Sequence, residues 1–220
     1  MSVLTSASSK GGPGKTTVTQ VLAACLAGDL RLVVLDADPT LALYRWATNT
    51  YEGPPFEMHA EVDETRLAHL IAETAERADL VIVDTAGFQN RAATVAMTSA
   101  DAVLVPALSG EADVNEAERT IKLVEGLARA ARREIPTRVL LNRVRRTGLA
   151  RHAQQEIASA GLPRLEASLS DLVAFGEMSY SGRAPDSGPA RNEVAALVGE
   201  LRALGWVPSV STLLRNDVQP

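Results

Sequence analysis

Residues 9–17 read Ser-Lys-Gly-Gly-Pro-Gly-Lys-Thr-Thr, a glycine-rich segment that holds two of the three lysines in the chain, Lys10 and Lys15. The other 19 basic residues are all arginine, so composition alone does not explain a pair of lysines here. The apolar run from Val3 to Ala7 predicts a buried strand, and apolar residues recur at helical spacing from Thr17 to Ala27. The segment is therefore predicted to be a tight turn between a strand and a helix.

A turn in this context points successive backbone N–H groups and a helix N-terminus at one spot, which makes it an anion site. Lys15 would place its ammonium group on the β- and γ-phosphates of a nucleotide, and the Thr16 hydroxyl would bind Mg²⁺. We interpret the segment as a phosphate-binding P-loop. The nucleotide-binding residues would be Gly11, Gly12, Pro13, Gly14, Lys15, Thr16 and Thr17. The alternative is a glycine-rich turn with two exposed lysines and no ligand. Pro13 has no N–H group, so this loop offers phosphate one donor fewer than a loop with another residue there.

The segment departs from the usual P-loop, because Ser9 stands where the first glycine is expected and Lys10 follows it. The form Lys-Gly-Gly-x-Gly-Lys-Thr-Thr resembles the deviant Walker A motif of the ParA/MinD family of ATPases. The resemblance covers most of the chain, from Val3 to about Leu204. In that family the lysine that matches Lys10 reaches across a dimer interface to the partner's phosphates. The resemblance therefore implies catalytic roles for Lys10 and Lys15 in an ATP-dependent homodimer.

Two aspartates follow the apolar run Leu32 to Leu35, in the sequence Asp36-Ala-Asp38-Pro39. Because Pro39 cannot continue a strand ladder, we expect both carboxylates to lie in a loop at the edge of the nucleotide site. Carboxylates there can hold the water shell of a metal or orient an attacking water. The resemblance implies that Asp38 positions the hydrolytic water, as a catalytic residue, and that Asp36 supports Mg²⁺. The alternative is a turn with no chemistry, since this sequence also forms loops readily.

A further aspartate follows the apolar run Leu80 to Val83, in the sequence Asp-Thr-Ala-Gly at residues 84–87. An apolar strand that delivers an aspartate to the phosphates is the Walker B arrangement, in which Asp84 binds Mg²⁺ through water. Gly87 could bring its N–H group close to the γ-phosphate, because glycine permits backbone approach. This pattern alone is common in α/β proteins, but its place after the P-loop and the aspartate pair follows the order of the family.

Asn142 follows the apolar run Val139 to Leu141. It resembles the strand-end asparagine of the family that hydrogen-bonds the adenine edge, which implies an ATP-binding role. The alternative is an asparagine that only turns the chain. The loop from Ser168 to Leu172 is expected to close over the base, but we assign no contact to it because the arginine that many relatives carry there is missing.

Runs that predict strands alternate along the chain with runs that predict helices. Predicted strands are Val3 to Ala7, Leu32 to Leu35, Phe56 to Ala60, Leu80 to Val83, Ala102 to Ala107, Thr137 to Leu141 and Leu165 to Leu169. Predicted helices beyond the first are Asp63 to Arg77, Ala112 to Arg133, Gly148 to Ala160 and Asn192 to Leu204. This alternation specifies a mainly parallel sheet flanked by helices on both faces, and with the glycine-rich motif it predicts an α/β, single-domain P-loop NTPase. We expect the ATPase domain to span residues 1–206, with a loop at Gly182 to Pro189 and a loosely held C-terminal tail at 207–220.

The chain has 220 residues, of which 46% are apolar, so it can bury one sizeable hydrophobic core. No apolar run approaches the roughly 20 residues needed to cross a bilayer, so we expect no membrane partner and a cytoplasmic location. The lone Cys25 falls on the apolar face of the first predicted helix and is expected to be a core residue. Without a second cysteine, this sequence has neither a disulfide framework nor a paired-cysteine metal site.

The net charge of −5 conceals a basic region between Arg129 and Arg151, where eight arginines face a single acid, Glu134. A patch of this kind neutralises phosphates without reading bases, which produces salt-sensitive, sequence-independent binding to double-stranded DNA. The ParA resemblance points to the same partner. The candidate DNA-binding residues are Arg129, Arg132, Arg133, Arg145, Arg146 and Arg151. The alternative is an arginine-rich solvated face.

Together these patterns and the resemblance to the ParA/MinD family imply a ParA-type ATPase that dimerises on ATP and Mg²⁺, binds nonspecific DNA and hydrolyses ATP slowly until a ParB-like or other partner stimulates it. Its cycle would partition or position a cargo over the nucleoid, either a plasmid or chromosome region or a protein cluster. Two alternatives stay open. One is a P-loop enzyme of the same fold that acts on a small molecule, with turnover that depends on that molecule. The other is a nonenzymatic, ATP-gated DNA-binding scaffold whose turnover stays near background.

Overall fold

The computed structural model describes residues 2–87, 90–145 and 148–209, and within these ranges it contains seven strands and eight helices. The strands are β1 (Val3–Ser6), β2 (Leu32–Ala37), β3 (Glu57–Ala60), β4 (Leu80–Thr85), β5 (Ala102–Ala107), β6 (Thr137–Val144) and β7 (Arg164–Ser170). The helices are α1 (Lys15–Leu26), α2 (Ala42–Asn49), α3 (Glu64–Arg77), α4 (Arg91–Ser99), α5 (Glu111–Ala131), α6 (Gly148–Ser159), α7 (Val173–Ser181) and α8 (Gly188–Ala203).

The seven strands form one parallel sheet in the order β3-β2-β4-β1-β5-β6-β7. This confirms the predicted α/β architecture. The strand that leads into the glycine-rich segment, β1, lies at the centre of the sheet between β4 and β5. Because all strands run the same way, the residues that follow β1, β2 and β4 meet at one edge of the sheet.

Both faces of the sheet are apolar and covered by helices. Val34 and Ile82 belong to a core shared with α1, α2, α7 and α8. Their neighbours in sequence, Val33 and Val81, point to the opposite face and pack with α3 and α4, and that face continues under α5 and α6. Burial on both faces explains why the strands read as continuous apolar runs. Cys25 is half-buried against the first core, where burial raises its pKa to about 11.

Three strands extend beyond the apolar runs that predict them. β2 includes Asp36 and β4 includes Asp84, because the two strands remain paired there with these residues opposite each other. β6 likewise includes Asn142. The prediction that Asp36 lies in a loop is therefore wrong: it is fully buried within β2, and Asp38 follows the strand. A carboxylate favours a loop in isolation, but here the neighbouring strand supplies the ladder hydrogen bonds.

The helices contain the larger differences from the sequence-based assignment. Helices α2, α4 and α7 have only eight or nine residues each, so their apolar spacing gives little signal and the sequence does not predict them. Helix α8 begins at Gly188, so the last two residues of the loop predicted from Gly182 to Pro189 are helical instead. Proline is tolerated in a first turn because the N–H groups there have no intrahelical partner.

The predicted C-terminal tail begins too early. Val207 is buried beside Trp206, whose carbonyl accepts a hydrogen bond from Ser2 Oγ at 2.9 Å. Residue 207 therefore belongs to the core, and residues 210–220 of the predicted tail lie outside the described part of the chain. None of the helices described is both long enough and apolar enough to cross a bilayer.

Candidate nucleotide site at the carboxyl edge of the sheet

The glycine-rich segment connects β1 to α1, as predicted. Gly12 and Gly14 have φ angles of 101° and 91°, in the left-handed region that favours glycine. Helix α1 begins at Lys15, and its N-cap, Gly14, has no side chain with which to cap the first turn. The first N–H groups of α1 are thus left for an anion, the arrangement that binds phosphate at a helix N-terminus.

Lys15 lies beneath this loop with only 6% of its surface exposed. Its Nζ donates to Ser8 Oγ at 2.9 Å and to the Lys10 carbonyl at 3.1 Å. Burial lowers the pKa of Lys15, while the nearby carboxylates of Asp84 and Asp38 act in the opposite direction. The loop therefore encloses a positive charge at the place where the motif predicts phosphates.

Asp84 is fully buried and lies within reach of α1. Thr16 Oγ1 donates to Asp84 Oδ2 at 2.7 Å, and Thr19 Oγ1 donates to Asp84 Oδ1 at 3.3 Å. Burial raises the pKa of Asp84 to about 7, against the opposing effect of the Thr16 hydrogen bond. A hydroxyl and a carboxylate are the hard oxygen donors that Mg²⁺ prefers, and a cation would compensate the buried carboxylate. These two predicted ligands therefore lie together and fit Mg²⁺.

Both carboxylate oxygens of Asp36 accept hydrogen bonds from backbone N–H groups. Its Oδ1 accepts from the N–H of Asp38 at 3.0 Å, and its Oδ2 accepts from the N–H of Tyr44 at 2.9 Å. Burial raises the pKa of Asp36, and these two hydrogen bonds oppose the rise. Asp36 thus fixes the turn between β2 and α2, and its predicted support of Mg²⁺ would act through the position of that turn. Asp38, in the turn itself, is half-buried and accepts from the N–H of Thr40 at 2.8 Å.

Two open clefts flank the P-loop. One, of about 730 Å³, is lined by residues that include Lys10, Pro39, Gly87 and Arg91. The other, of about 550 Å³, lies between the loop and α7 and is lined by residues that include Gly14, Thr17, Asn142, Asp171 and Tyr180. The second cleft has the size of a small-molecule site, so it can hold the nucleoside of a nucleotide whose phosphates occupy the loop. The first cleft then adjoins the terminal phosphate.

Asn142 is buried against the P-loop. Its Nδ2 donates to the Pro13 carbonyl at 2.8 Å, and its Oδ1 accepts from the Arg143 N–H at 2.9 Å. An ideal Cβ at Gly14 would overlap Asn142 Nδ2, so a side chain at residue 14 would force the Asn142 side chain to shift. Asn142 therefore shapes the loop, and the adenine contact implied by the resemblance stays a prediction.

Lys10 and Gly87 line the first cleft. The Nζ of Lys10 lies 2.9 Å from Asp113 Oδ1, on α5 of the same subunit. An ideal Cβ at Gly87 would lie 3.5 Å from the Ser9 carbonyl, which is an ordinary contact. Gly87 is thus next to the P-loop, and its approach to a γ-phosphate remains a prediction.

Several residues at the site are not identifiable from the sequence alone. Ser8 and Thr19 contact Lys15 and Asp84, and their only signal is a short polar side chain beside the motif. Tyr180 and Val173 on α7 line the second cleft with exposures of 72% and 77%, but α7 itself has too few residues for a clear pattern. Asp113 lies about a hundred residues from Lys10, and nothing in the sequence links the two.

Among the residues that the structure describes, the arginines of this region do not form a single patch. Arg129, Arg132 and Arg133 lie where α5 ends, and Arg145 lies beyond the end of β6. Because β6 has eight residues and spans roughly 25 Å, the two groups lie at opposite ends of the parallel strands. The prediction of one continuous patch is therefore wrong, since a chain that crosses the sheet separates the charges. Arg151 lies in α6, and Arg146 lies outside the described residues.

The described arginines also differ in their partners. Arg133 donates to the Ala100 carbonyl at 2.7 Å and pairs with Asp101 at 3.2 Å, and Arg145 donates to Asp171 at 2.7 Å. Arg129 and Arg132 line a cleft of about 720 Å³ at the end of α5, and neither forms an ion pair within the residues that the structure describes. These two side chains are the freest to meet a phosphate.

Three comparisons relate the fold and the motifs to known proteins. The family described as VirC1 protein matches residues 1–184. Protein virC1 of Rhizobium rhizogenes is 34% identical over 191 residues, which cover 83% of this chain and 82% of that protein. The maintenance of carboxysome distribution protein A of Gloeobacter kilaueensis is 33% identical over 180 residues, or 79% of this chain and 78% of that protein. The septum site-determining protein MinD from Pyrococcus horikoshii, solved with Mg-ADP, shares the fold with a TM-score of 0.70 at 19% identity, over 93% of this chain and 97% of that chain.

Proposed function

Because this chain belongs to the VirC1 family and has the fold and motifs of the ParA/MinD P-loop ATPases, we propose that it hydrolyses ATP with Mg²⁺, dimerises around ATP and binds duplex DNA without sequence preference. One observation carries the proposal. The buried ammonium of Lys15 and the Thr16–Asp84 pair converge on a single glycine loop. Phosphates and a magnesium ion are the ligands that this combination of charges fits.

Each residue of the site has a separate task in the proposed reaction. Lys15 would neutralise charge on the terminal phosphates, and Thr16 and Asp84 would hold Mg²⁺. When bound, Mg²⁺ would offset the negative charge that develops on the phosphate oxygens. Asp38 would orient water with Oδ2, because its Oδ1 already accepts from the Thr40 N–H. Hydrolysis would then depend mainly on positioning and on charge, which is typical of phosphoryl transfer.

Lys10 supports a dimer as the active form. Its side chain is 40% exposed and borders the cleft next to the terminal phosphate, whereas Lys15 is buried. A lysine in that place can reach the phosphates of a second subunit, as the deviant Walker A motif implies. The proposed active species is therefore a homodimer with ATP between its subunits.

The proposed cargo is a nucleic acid or a protein assembly that the dimer partitions or positions over the nucleoid. The exposed Arg129 and Arg132 support contacts to the DNA backbone, which need positive charge and no base reading. The name of the Gloeobacter relative refers to the maintenance of carboxysome distribution, which supports positioning as well as partition. A ParB-like or other partner would stimulate the slow turnover.

The test compares the molar mass and DNA retention of five proteins with ATP, with ADP and without nucleotide. Wild type should become a dimer and retain DNA only with ATP and Mg²⁺. Lys15→Ala should lose nucleotide binding, Lys10→Ala should bind ATP but stay a monomer, and Asp38→Ala should form a dimer that persists because water is not oriented. Lys122→Ala is the matched control, since Lys122 is an exposed lysine of α5 that pairs with Glu118.

The same measurements separate the competing functions. A wild-type monomer that ignores DNA in every nucleotide state would contradict the proposal. ATP turnover that requires a metabolite and is indifferent to DNA would instead indicate a small-molecule enzyme. Dimers that bind DNA with background turnover, even with the stimulating partner present, would indicate an ATP-gated scaffold.

A further inference from the structure

The side chain of Lys10 is held by its own subunit. Lys10 Nζ lies 2.9 Å from Asp113 Oδ1, and the side chains of the pair are 40% and 12% exposed. The backbone of Lys10 is fixed separately, because its carbonyl accepts from Ser8 Oγ at 2.7 Å and from Lys15 Nζ at 3.1 Å. Only the side chain is free to change partner, and in this structure it points to α5.

Asp113 is itself held in place. It lies in the first turn of α5, where its N–H donates to the Gly110 carbonyl at 2.9 Å. Its Oδ2 lies 3.0 Å from the position of an ideal Cβ on Gly110, so the carboxylate packs closely over a residue without a side chain. A helix N-terminus also favours a negative charge. The carboxylate therefore lies at the N-terminus of α5, and the Lys10 side chain reaches it there.

A second contact joins the same two segments. Ser9 Oγ donates to the Glu116 carbonyl at 3.2 Å and also contacts the Glu116 carboxylate. Residues 9 and 10 of the P-loop thus both rest on the first two turns of α5. This contact is independent of Lys10, so it keeps Lys10 next to Asp113.

We propose that Asp113 is a positioning residue that holds Lys10 in its own subunit until a second, ATP-loaded subunit arrives. The inference rests on the proposed function, in which Lys10 contacts the partner's phosphates. Dimer formation would then exchange two Lys10–Asp113 pairs for two lysine–phosphate contacts. Asp113 thereby raises the subunit concentration at which the ATP dimer forms and disfavours dimers that lack the terminal phosphate.

The test is Asp113→Asn, which removes the charge and keeps the shape of the side chain. A partly exposed ion pair is worth about fivefold per subunit, so two pairs predict a dimer dissociation constant about 25-fold lower with saturating ATP and Mg²⁺. Sedimentation velocity measures this constant. The control is Glu118→Gln, which breaks a different lysine pair on the same helix, with Lys122, and should leave the constant unchanged.

A second readout needs neither nucleotide nor a dimer. The rate at which an amine-reactive acetylating reagent labels each lysine, followed by mass spectrometry, reports how far that lysine is paired. Asp113→Asn should raise the labelling rate of Lys10 and leave that of Lys122 unchanged, and Glu118→Gln should do the reverse.

The outcomes distinguish this inference from the function on which it rests. An ATP dimer in wild type that Asp113→Asn fails to tighten, or an unchanged labelling rate of Lys10, would overturn the role of Asp113 and leave the proposed function intact. No ATP dimer in either protein would overturn both.

Discussion

The protonation state of Asp84 affects both the stability of the fold and the binding of a metal ion. Burial raises its pKa from 3.8 to about 7, so the folded chain holds a proton that the unfolded chain releases more readily. Because the folded state binds more protons between these two values, the stability contributed by this group falls as pH rises through that interval. Above about pH 7 the carboxylate is charged and buried, which is a favourable state for Mg²⁺ and an unfavourable one for the protein alone.

The first prediction concerns Asp84→Asn, which removes the charge and keeps an oxygen that can accept from Thr16. Without nucleotide or metal, the free energy of unfolding of the variant at pH 8 should exceed that of wild type, by on the order of 1–3 kcal/mol. Near pH 4 the two proteins should converge, because wild-type Asp84 is then protonated when folded. Urea unfolding at several pH values measures the difference, and the variant should also lose Mg²⁺-dependent ATP binding. Equal pH dependence in both proteins would contradict the assignment.

The edge strand β7 illustrates how one element protects another. The N–H groups of Glu166 and Ala167 donate to the carboxylate of Glu200 on α8, at 2.9 and 2.8 Å. The N–H of Ser170 donates to Glu193 on the same helix at 2.7 Å. Two carboxylates therefore occupy positions at which another strand could otherwise pair, and exposed strand edges of that kind promote aggregation.

The second prediction is that Glu200→Ala destabilises the protein by about 1–3 kcal/mol, because two edge N–H groups lose their acceptor. Aggregation on heating should also begin at a lower temperature. Glu200→Gln keeps one acceptor oxygen and should lose less stability than Glu200→Ala. Chemical denaturation and light scattering measure the two effects, and equal stability of wild type and Glu200→Ala would show that water replaces the carboxylate without loss.

At the scale of the whole molecule, positive charge lies at both ends of the parallel strands, which are called here the far edge and the near edge of the sheet. Arg129 and Arg132 lie at the far edge, away from the P-loop. Arg145, which pairs with Asp171, lies at the near edge, which carries the P-loop. A DNA surface at the far edge would leave the nucleotide clefts open to a partner. A surface at the near edge would couple DNA directly to the nucleotide site.

The third prediction favours the far edge, because Arg129 and Arg132 have the freer side chains. Replacing both with alanine should weaken DNA binding by the ATP form at every sequence and lower the slope of log K against log salt by about 2. Arg145→Ala should have a smaller effect, and Arg191→Ala, an exposed arginine on α8, is the control. Fluorescence anisotropy across a series of salt concentrations measures the slopes. A larger loss for Arg145→Ala would move the DNA surface to the near edge.

The local pattern of the sequence determined the class of fold and the centre of the site. Continuous apolar runs of strand length identify buried parallel strands, because both faces of the sheet are covered. Glycines at residues 12 and 14 favour the left-handed backbone of the loop, and that loop leads into a helix whose first N–H groups are free of a side-chain cap. These features depend on neighbouring residues alone, so they can be read without a structure.

Only the tertiary structure decided which distant residues meet. The pairing of β2 with β4 places Asp36 inside a strand, opposite Asp84, although its sequence favours a loop. Strand β6 separates arginines that are close together in sequence, because it runs from one end of the parallel strands to the other. The packing of α5 beside the P-loop brings Asp113 to Lys10. Strand order and helix placement set these contacts, and they follow from the burial of the whole core, which no single segment of the sequence encodes.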